Sequence, residues 1–144
     1  MTHDHLIVRV AGHRLAVAAS DVLCVIELGN VVPVPGAPPF VLGLATQRSR
    51  TLNVFDLAVG VGLPRSEHPL RFAVVLDFGG VGYAMAVDAV ESVTAATGPV
   101  QRVKANLSSG WARCAAGMIE TAVGTVLLID LARLVETEML EKAA

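Results

Sequence analysis

The chain has 144 residues, 53% of them apolar, and it carries a net charge of −2 with a pI near 6.0. A membrane-spanning helix needs about 20 predominantly apolar residues, and the candidate region 72–93 is interrupted by glycines and acidic residues, which argues against membrane insertion. Lys and Arg form no dense stripe that could neutralise a row of phosphates, which argues against nucleic-acid binding. The length fits one domain, or two small halves that share a core.

The N-terminal residues and the cysteines bear on the compartment. The opening residues, MTHDHLIV, lack a cationic segment followed by an apolar one, so no secretory signal is predicted. Cys24 and Cys114 lie in apolar, strand-like contexts without CxxC spacing. We interpret both as reduced core residues of a cytoplasmic protein.

The first part of the chain reads as short strands separated by turn residues. His5–Val10 alternates apolar and polar residues, and a glycine turn leads into a return strand at Leu15–Ala18. A further strand is predicted at Val22–Leu28. The four prolines of Pro33–Pro39 cannot donate ladder hydrogen bonds, so an extended connector is expected there.

A hairpin with a basic tip follows the connector. Its apolar runs, Phe40–Ala45 and Leu52–Leu57, flank a polar turn, Thr46–Thr51, that contains two arginines. A short helical turn is expected after Asp56.

The second part of the chain has the same layout. Its predicted strands are Phe72–Phe78, Tyr83–Val87, Val90–Ala96, Trp111–Thr121 and Thr125–Asp130. A C-terminal helix over 131–142 is predicted from its apolar stripe, with Asp130 as the N-cap. The stripe consists of Leu131, Leu134, Val135 and Met139.

The two parts align as an internal duplication. Without a gap, Gly43 aligns with Gly117 and Asp56 with Asp130. In an earlier segment, Ala16 aligns with Ala84 in the same chain order. Two matches in the same order favour a repeated unit over chance.

About ten short strands and one terminal helix predict an all-β chain folded as two small β-barrels. The halves are expected at 5–69 and 70–135 within a single domain over 1–144. Whether strands are exchanged between the halves is left open.

These elements, in this order, resemble the CheW-like coupling domains of bacterial chemotaxis systems. The resemblance covers nearly the whole chain. Its residues are Gly12, Val25-Ile26-Glu27, Pro33–Pro39, Phe40–Leu44, Arg48, Asp56-Leu57, Val87–Val90 and Leu128–Leu131. It implies two five-stranded, SH3-like β-barrels, which agrees with the duplication.

The resemblance also implies a function. Such domains are non-catalytic scaffolds of two-component signal transduction that couple the cytoplasmic tips of methyl-accepting chemoreceptors to a CheA-type histidine kinase. One face would bind the regulatory domain of the kinase, and a groove between the barrels would bind receptor helices. No cofactor is implied. The implied location is the cytoplasm, at membrane-associated or polar receptor arrays through the partners.

The sequence departs from the family pattern at the arginine turn. The family's Asn-Leu-Arg-Gly is Thr46-Gln47-Arg48-Ser49 here, and Asn53 stands where proline is common. Serine takes a positive φ less readily than glycine, so a turn of altered shape is expected. This departure keeps open an alternative, a CheW-like interaction module that recruits a non-receptor partner in polar localisation or another Che-like pathway.

The duplication separates residues that build the fold from candidate binding residues. Arg48 aligns with Ala122 and Glu27 with Ala95, so neither charge is needed to build both copies. The resemblance selects the same two positions. The full set of candidate protein-binding residues is Val25, Glu27, Leu44, Gln47, Arg48 and Arg50.

Other roles are open for these residues. Arg48 is alternatively a solvated turn residue or a donor to the backbone carbonyls of a nearby loop. Glu27 is alternatively a solvated strand residue. Four apolar residues are alternatively core residues, and they would form a kinase-facing apolar patch only if left uncovered: Val25, Phe40, Leu42 and Leu44.

Catalytic and metal sites are not indicated. His3, His5 and His13 lie near one another in sequence, but no further ligand with suitable spacing completes a metal site. The glycines of 79–82 lack the lysine and the helix of a phosphate-binding loop. We therefore predict no enzymatic activity, no metal and no cofactor. A barrel that binds a small ligand is a further alternative.

Overall fold

The computed structural model of the chain describes residues 4–65, 69–102 and 114–136. These residues form ten β-strands, a 3-10 turn at Ala19–Asp21, helix α1 at Leu57–Gly60 and a helical segment at 131–136. The strands are β1 (Asp4–Val10), β2 (His13–Ala18), β3 (Cys24–Glu27), β4 (Val41–Gln47), β5 (Arg50–Asp56), β6 (Phe72–Phe78), β7 (Val81–Val87), β8 (Ala89–Ala95), β9 (Ala115–Thr121) and β10 (Gly124–Ile129).

The strands form two five-stranded sheets. Strands β3 to β7, which are consecutive in the chain, form one sheet in the order β3-β6-β7-β5-β4. We call it the central sheet. The other, here the terminal sheet, takes strands from both ends of the chain in the order β8-β1-β2-β10-β9. The prediction of an all-β chain with two five-stranded units and a short C-terminal helix is confirmed.

The duplication is visible in the strand pairing. The central sheet contains one parallel pair, β5 with β7, in which Val54 lies opposite Ala84. The terminal sheet contains the aligned parallel pair, β10 with β2, in which Leu128 lies opposite Ala16. An irregularity in register next to Gly43, between β4 and β5, recurs at the aligned place between β9 and β10. Both copies therefore fold to the same local geometry.

The sheets do not follow the two sequence halves. Hairpin β1–β2 comes from the first half but pairs with β8 and β10 of the second. Hairpin β6–β7 comes from the second half but pairs with β3 and β5 of the first. Each half thus contributes an N-terminal hairpin to the sheet that holds the remaining strands of the other half.

One large apolar core joins the two sheets. It contains buried residues of β1 and β2, such as Val8 and Leu15, together with residues of the central sheet such as Met85. Leu57 of α1 and Leu134 of the 131–136 segment complete it. Each fully buried aliphatic side chain of this kind contributes about 1.5–3 kcal/mol to folding.

The aligned aspartates end their hairpins as expected. Asp56 caps α1, because its Oδ1 accepts hydrogen bonds from the backbone N–H groups of Ala58 and Val59. Asp130 caps the C-terminal helical segment by accepting from the N–H of Arg133. Leu131, Leu134 and Val135 of the predicted stripe are buried. Met139 and the predicted helix beyond 136 lie outside the described residues.

Three local expectations are wrong. The strand predicted at Val22–Leu28 is limited to the four residues of β3. The turn predicted at Thr46–Thr51 has only two residues, since pairing continues to Gln47 and Arg50. Cys24, expected in the core, is exposed, whereas Cys114 is buried. Cys24 is exposed because β3 is an edge strand of the central sheet and has a neighbouring strand on one side only.

Neither sheet forms a complete hydrogen-bonded ring within the described residues. In the terminal sheet, the two edges meet at an isolated bridge between Ala96 and Thr121. The described residues of the central sheet show no bridge at the aligned place. The central sheet therefore has an open gap between its edge strands, β3 and β4. None of the helices in the described ranges has the length and apolar content to cross a membrane.

Candidate protein-binding site

The β4–β5 hairpin presents Arg48 at a tight turn. Arg48 has φ of 49° and Ser49 has φ of 65°, so both residues are left-handed. Two consecutive left-handed residues are what a two-residue turn needs to match the twist of the strands it joins. Ser49 thus takes the positive φ that the sequence pattern disfavours, and the Arg48 side chain is exposed at the tip.

A cleft of about 320 Å³ lies between this turn and the edge strand β3. Four of the six candidate residues line it, namely Val25, Gln47, Arg48 and Arg50. Its other lining residues are Leu23, Cys24, Leu52 and Val75. The cleft lies within the gap between the edges of the central sheet, whereas the resemblance implied a groove between two barrels.

The two arginines of the cleft differ in their partners. Arg50 forms an ion pair with Asp77 of β6, with 2.5 Å between Nη2 and Oδ2. Asp77 also accepts a hydrogen bond from the N–H of Gly80, so Arg50 is tied to the β6–β7 turn. Arg48 makes no ion pair or hydrogen bond with another described residue. Its guanidinium is therefore the cation of the cleft that is available to a partner.

The β3 side of the cleft is apolar and exposed. Leu23 is 58% exposed and Val25 is 41% exposed. An apolar surface beside an unneutralised cation suits the interface core and rim of a protein partner. Sequence reasoning missed Leu23 and Cys24, because the continuous apolar run Val22–Ile26 is typical of a strand that is buried inside a sheet.

The two remaining candidates lie outside the cleft. Glu27 is exposed at the far end of β3, opposite Phe72. Leu44 is 36% exposed and pairs through its backbone with Val32 of the connector. Leu44 and Val32, which is 57% exposed, form a small apolar surface of their own.

Gly43 fixes the connector against the hairpin. It has a φ of 147°, and a Cβ at this position would lie 2.1 Å from the carbonyl oxygen of Val32. Gly117, its counterpart, has a φ of 151°, and a Cβ there would lie 2.5 Å from Cγ1 of Val100 and 2.7 Å from the carbonyl oxygen of Gln101. The two aligned glycines are thus explained by folding and not by binding.

A buried carboxylate lies at the end of the hairpin that carries the cleft. Asp56 is fully buried, and its Oδ2 has no hydrogen-bond partner among the described residues. Burial raises the pKa of Asp56, although hydrogen bonds from Val59 and Ala58 and the charge of Arg65 act in the opposite direction. The Arg65 Nε lies 3.9 Å from Oδ2. This carboxylate supports the hairpin from inside and does not reach the cleft.

The described residues contain no group of three or more His, Cys, Asp or Glu side chains placed to hold a metal ion.

Comparison with known proteins assigns the family. The family model described as "CheW-like domain" matches residues 4–139. The chain belongs to the CheW-like domain family. This is a family of non-catalytic scaffold and adaptor domains, so the chain is an interaction module and not an enzyme.

Two relatives are consistent with this assignment. The chain is 26% identical over 122 residues to "Chemotaxis protein CheW" of Thermotoga maritima. The aligned region covers 85% of this chain and 80% of that protein. Its fold is similar to the crystal structure of the scaffolding protein TtCheW from Thermoanaerobacter tengcongensis, with a TM-score of 0.80 and 19% identity. That match covers 93% of this chain and 92% of the other.

Proposed function

We propose that this CheW-like protein is a chemotaxis adaptor that couples the cytoplasmic tips of chemoreceptors to the regulatory domain of a CheA-type histidine kinase. It would act in the cytoplasm, at receptor arrays, without inserting into the membrane or binding nucleic acid. The observation that carries the proposal is the cleft beside Arg48, where a guanidinium without an ion pair among the described residues adjoins the exposed apolar residues Leu23 and Val25. The names of the relatives, a chemotaxis protein and a scaffolding protein, support it.

Within this proposal, the cleft is the receptor-binding surface. A receptor tip is helical, and a helix binds by placing apolar side chains in a groove. Leu23 and Val25 would contact that apolar stripe, and Arg48 would pair with a carboxylate or with exposed carbonyl groups of the helical tip. The separate apolar surface of Val32 and Leu44 is the proposed contact with the kinase, with Glu27 at the edge of the receptor contact.

The alternative is a module that recruits a non-receptor partner. It rests on the departures at Ser49 and Asn53. Both departures have a place within the fold, since Ser49 adopts the left-handed turn and the Asn53 Nδ2 donates to the carbonyl of Gly82 at 3.3 Å. The described geometry therefore gives no reason to prefer this alternative, and receptor coupling is the proposal we argue.

The test is a binding assay with a soluble receptor-tip fragment and the kinase regulatory domain, using wild type and Arg48→Ala. We expect wild type to bind both. The variant should bind the receptor fragment at least about tenfold more weakly, the loss typical of an important interface residue, and the kinase domain equally well. Arg14→Ala is the matched control, because it removes the same charge from the terminal sheet, where Arg14 pairs with Glu91.

Each other outcome has a defined meaning. Kinase binding with no receptor binding by wild type would contradict receptor coupling and favour the alternative module. Equal receptor binding by wild type and Arg48→Ala would remove the cleft as the receptor site. A marked loss of thermal stability in Arg48→Ala would show that the arginine is structural.

A further inference from the structure

Strand β3, with Leu23 immediately before it, presents an apolar stretch that ends in an acidic residue. Leu23 is 58% exposed, Val25 is 41% exposed, and Glu27 is also exposed. The alternate residues Ile26 and Leu28 pack instead against an apolar cluster of the central sheet. Side chains on one side of a strand follow one another at about 6.7 Å. Leu23, Val25 and Glu27 thus form one row, which we call the β3 face.

The β3 face has an arginine at one end and a glutamate at the other. Leu23, Val25 and Arg48 line the same cleft, whereas Glu27 lies outside it. Neither Glu27 nor Arg48 forms an ion pair with another described residue. A cation and an anion that both lack a partner in the described chain therefore flank one exposed apolar stretch.

The duplication shows that the fold does not require this arrangement. At the place of Leu23, the terminal sheet has Glu91, which forms ion pairs with two arginines. Charged side chains on an edge strand protect it from association with other chains. At the places of Glu27 and Arg48, the terminal sheet has alanines. The edge strand of the central sheet lacks the protection that its counterpart has, and it carries two charges that its counterpart does not.

This order of side chains makes the β3 face complementary to itself. In a twofold interface, the same patch of both subunits meets, and each contact occurs twice. A twofold axis at Val25 sets β3 of a second copy antiparallel to the first. Val25 then meets its own copy, and Glu27 of each chain lies over Leu23 of the other, beside Arg48. Both charges gain a partner, and both apolar side chains are covered.

We propose that the protein self-associates through the β3 face as a twofold dimer, in which Glu27 of each chain pairs with Arg48 of the other. Each chain contributes two apolar side chains and two charges, so the dimer is weak and transient, as is typical of interfaces below about 1,200 Å². The dimer covers the surface assigned above to the receptor. Within the proposed adaptor function, on which this consequence rests, self-association and receptor binding exclude each other.

The experiment is analytical ultracentrifugation of the full-length protein alone, from about 10 µM to about 1 mM, the range in which a small transient interface associates. We expect the average mass to rise with concentration from 15.0 kDa towards twice that value. A mass that stays at 15.0 kDa throughout would overturn the proposal. A mass that rises well beyond two copies would overturn the closed twofold arrangement.

Charge reversal tests the ion pair. Glu27→Arg and Arg48→Glu each place like charges opposite one another, so each should raise the dissociation constant at least about tenfold. Both residues are exposed, so the melting temperatures should stay close to wild type. Mixed together, the two single variants should form a heterodimer, because each introduced charge then faces its opposite on the other chain. A mixture that associates no better than the separate variants would overturn the pairing between chains.

A second pair of variants tests the location of the axis. Val25→Glu places two carboxylates against each other at the centre of the dimer and should abolish self-association. Val93→Glu is the matched control, because Val93 is the aligned residue of the terminal sheet and is 60% exposed. It makes the same change in charge and should associate like wild type. An equal loss in the two variants would overturn the β3 face as the interface.

The outcome for the dimer is separable from that for the adaptor function, because the self-association assay contains neither receptor nor kinase. A dimer that forms although the receptor fragment never binds would contradict the adaptor function and support the dimer. Where the fragment does bind, adding it should dissociate the dimer into complexes that hold one copy of this protein. A dimer that persists with fragment bound to both copies would overturn the proposed overlap of the two surfaces.

Discussion

Asp56 is a residue whose burial makes the stability of the protein depend on pH. Its carboxylate is fully buried, and burial raises its pKa above the value of 3.8 expected in the unfolded chain. The folded state therefore holds this proton more tightly, and the contribution of Asp56 to stability falls as the pH rises from about 4 through the folded pKa. Asp56→Asn keeps a capping oxygen for Ala58 and removes the charge. We expect the melting temperature of the variant, relative to wild type, to increase between about pH 4 and pH 7.

Thermal melts of the two proteins at several pH values measure this difference. Asp130→Asn is the matched control, because Asp130 caps the aligned helical segment from a less buried position. Parallel pH profiles of wild type and Asp56→Asn would contradict the prediction. The sequence predicted both aspartates as the ends of hairpins, but it could not predict that Asp56 is sealed by the shared core, because that depends on how the two sheets pack.

At the scale of the element, Gly43 holds the β4–β5 hairpin against the connector. Gly43→Ala would place a Cβ 2.1 Å from the carbonyl oxygen of Val32, and the backbone cannot move away without breaking the bridge between Val32 and Leu44. We expect a loss of more than about 2 kcal/mol in the free energy of unfolding, measured by urea denaturation. Gly36→Ala is the control, since Gly36 also has a positive φ but no atom within 4 Å of its Cβ position.

A loss of equal size in the two alanine variants would show that backbone strain, and not the contact with Val32, explains Gly43. The aligned glycines could be predicted from the sequence, because the repeat placed Gly43 on Gly117 before any contact was known. The exposure of Leu23, Val25 and Cys24 could not be predicted from the sequence. Their apolar pattern is that of an inner strand, and the position of β3 at the edge of its sheet is decided by pairings with residues far away in the chain.

At the scale of the whole molecule, the sequence predicted two copies of one unit but not their mutual dependence. Every strand pair that joins the two copies involves an exchanged hairpin: β1 with β8, β2 with β10, β3 with β6, and β5 with β7. Local patterns determine hairpins, whereas the choice between pairing within a copy and pairing across copies depends on the connections between strands. The grouping of the candidate residues could not be predicted for the same reason. Four of them line one cleft because β3 and β4 are the two edges of the same sheet.

This mutual dependence predicts how the chain responds to a cut between its halves. A specific protease site placed between residues 65 and 69 would separate β1–β5 from β6–β10 without touching a described strand. We expect the cut protein to elute in size-exclusion chromatography as one 15.0 kDa particle, because four inter-fragment strand pairs and the shared core hold the pieces together. Each fragment made alone should lack a cooperative unfolding transition, since each sheet needs strands from both. Separate elution of two folded fragments without denaturant would show instead that the halves are independent domains.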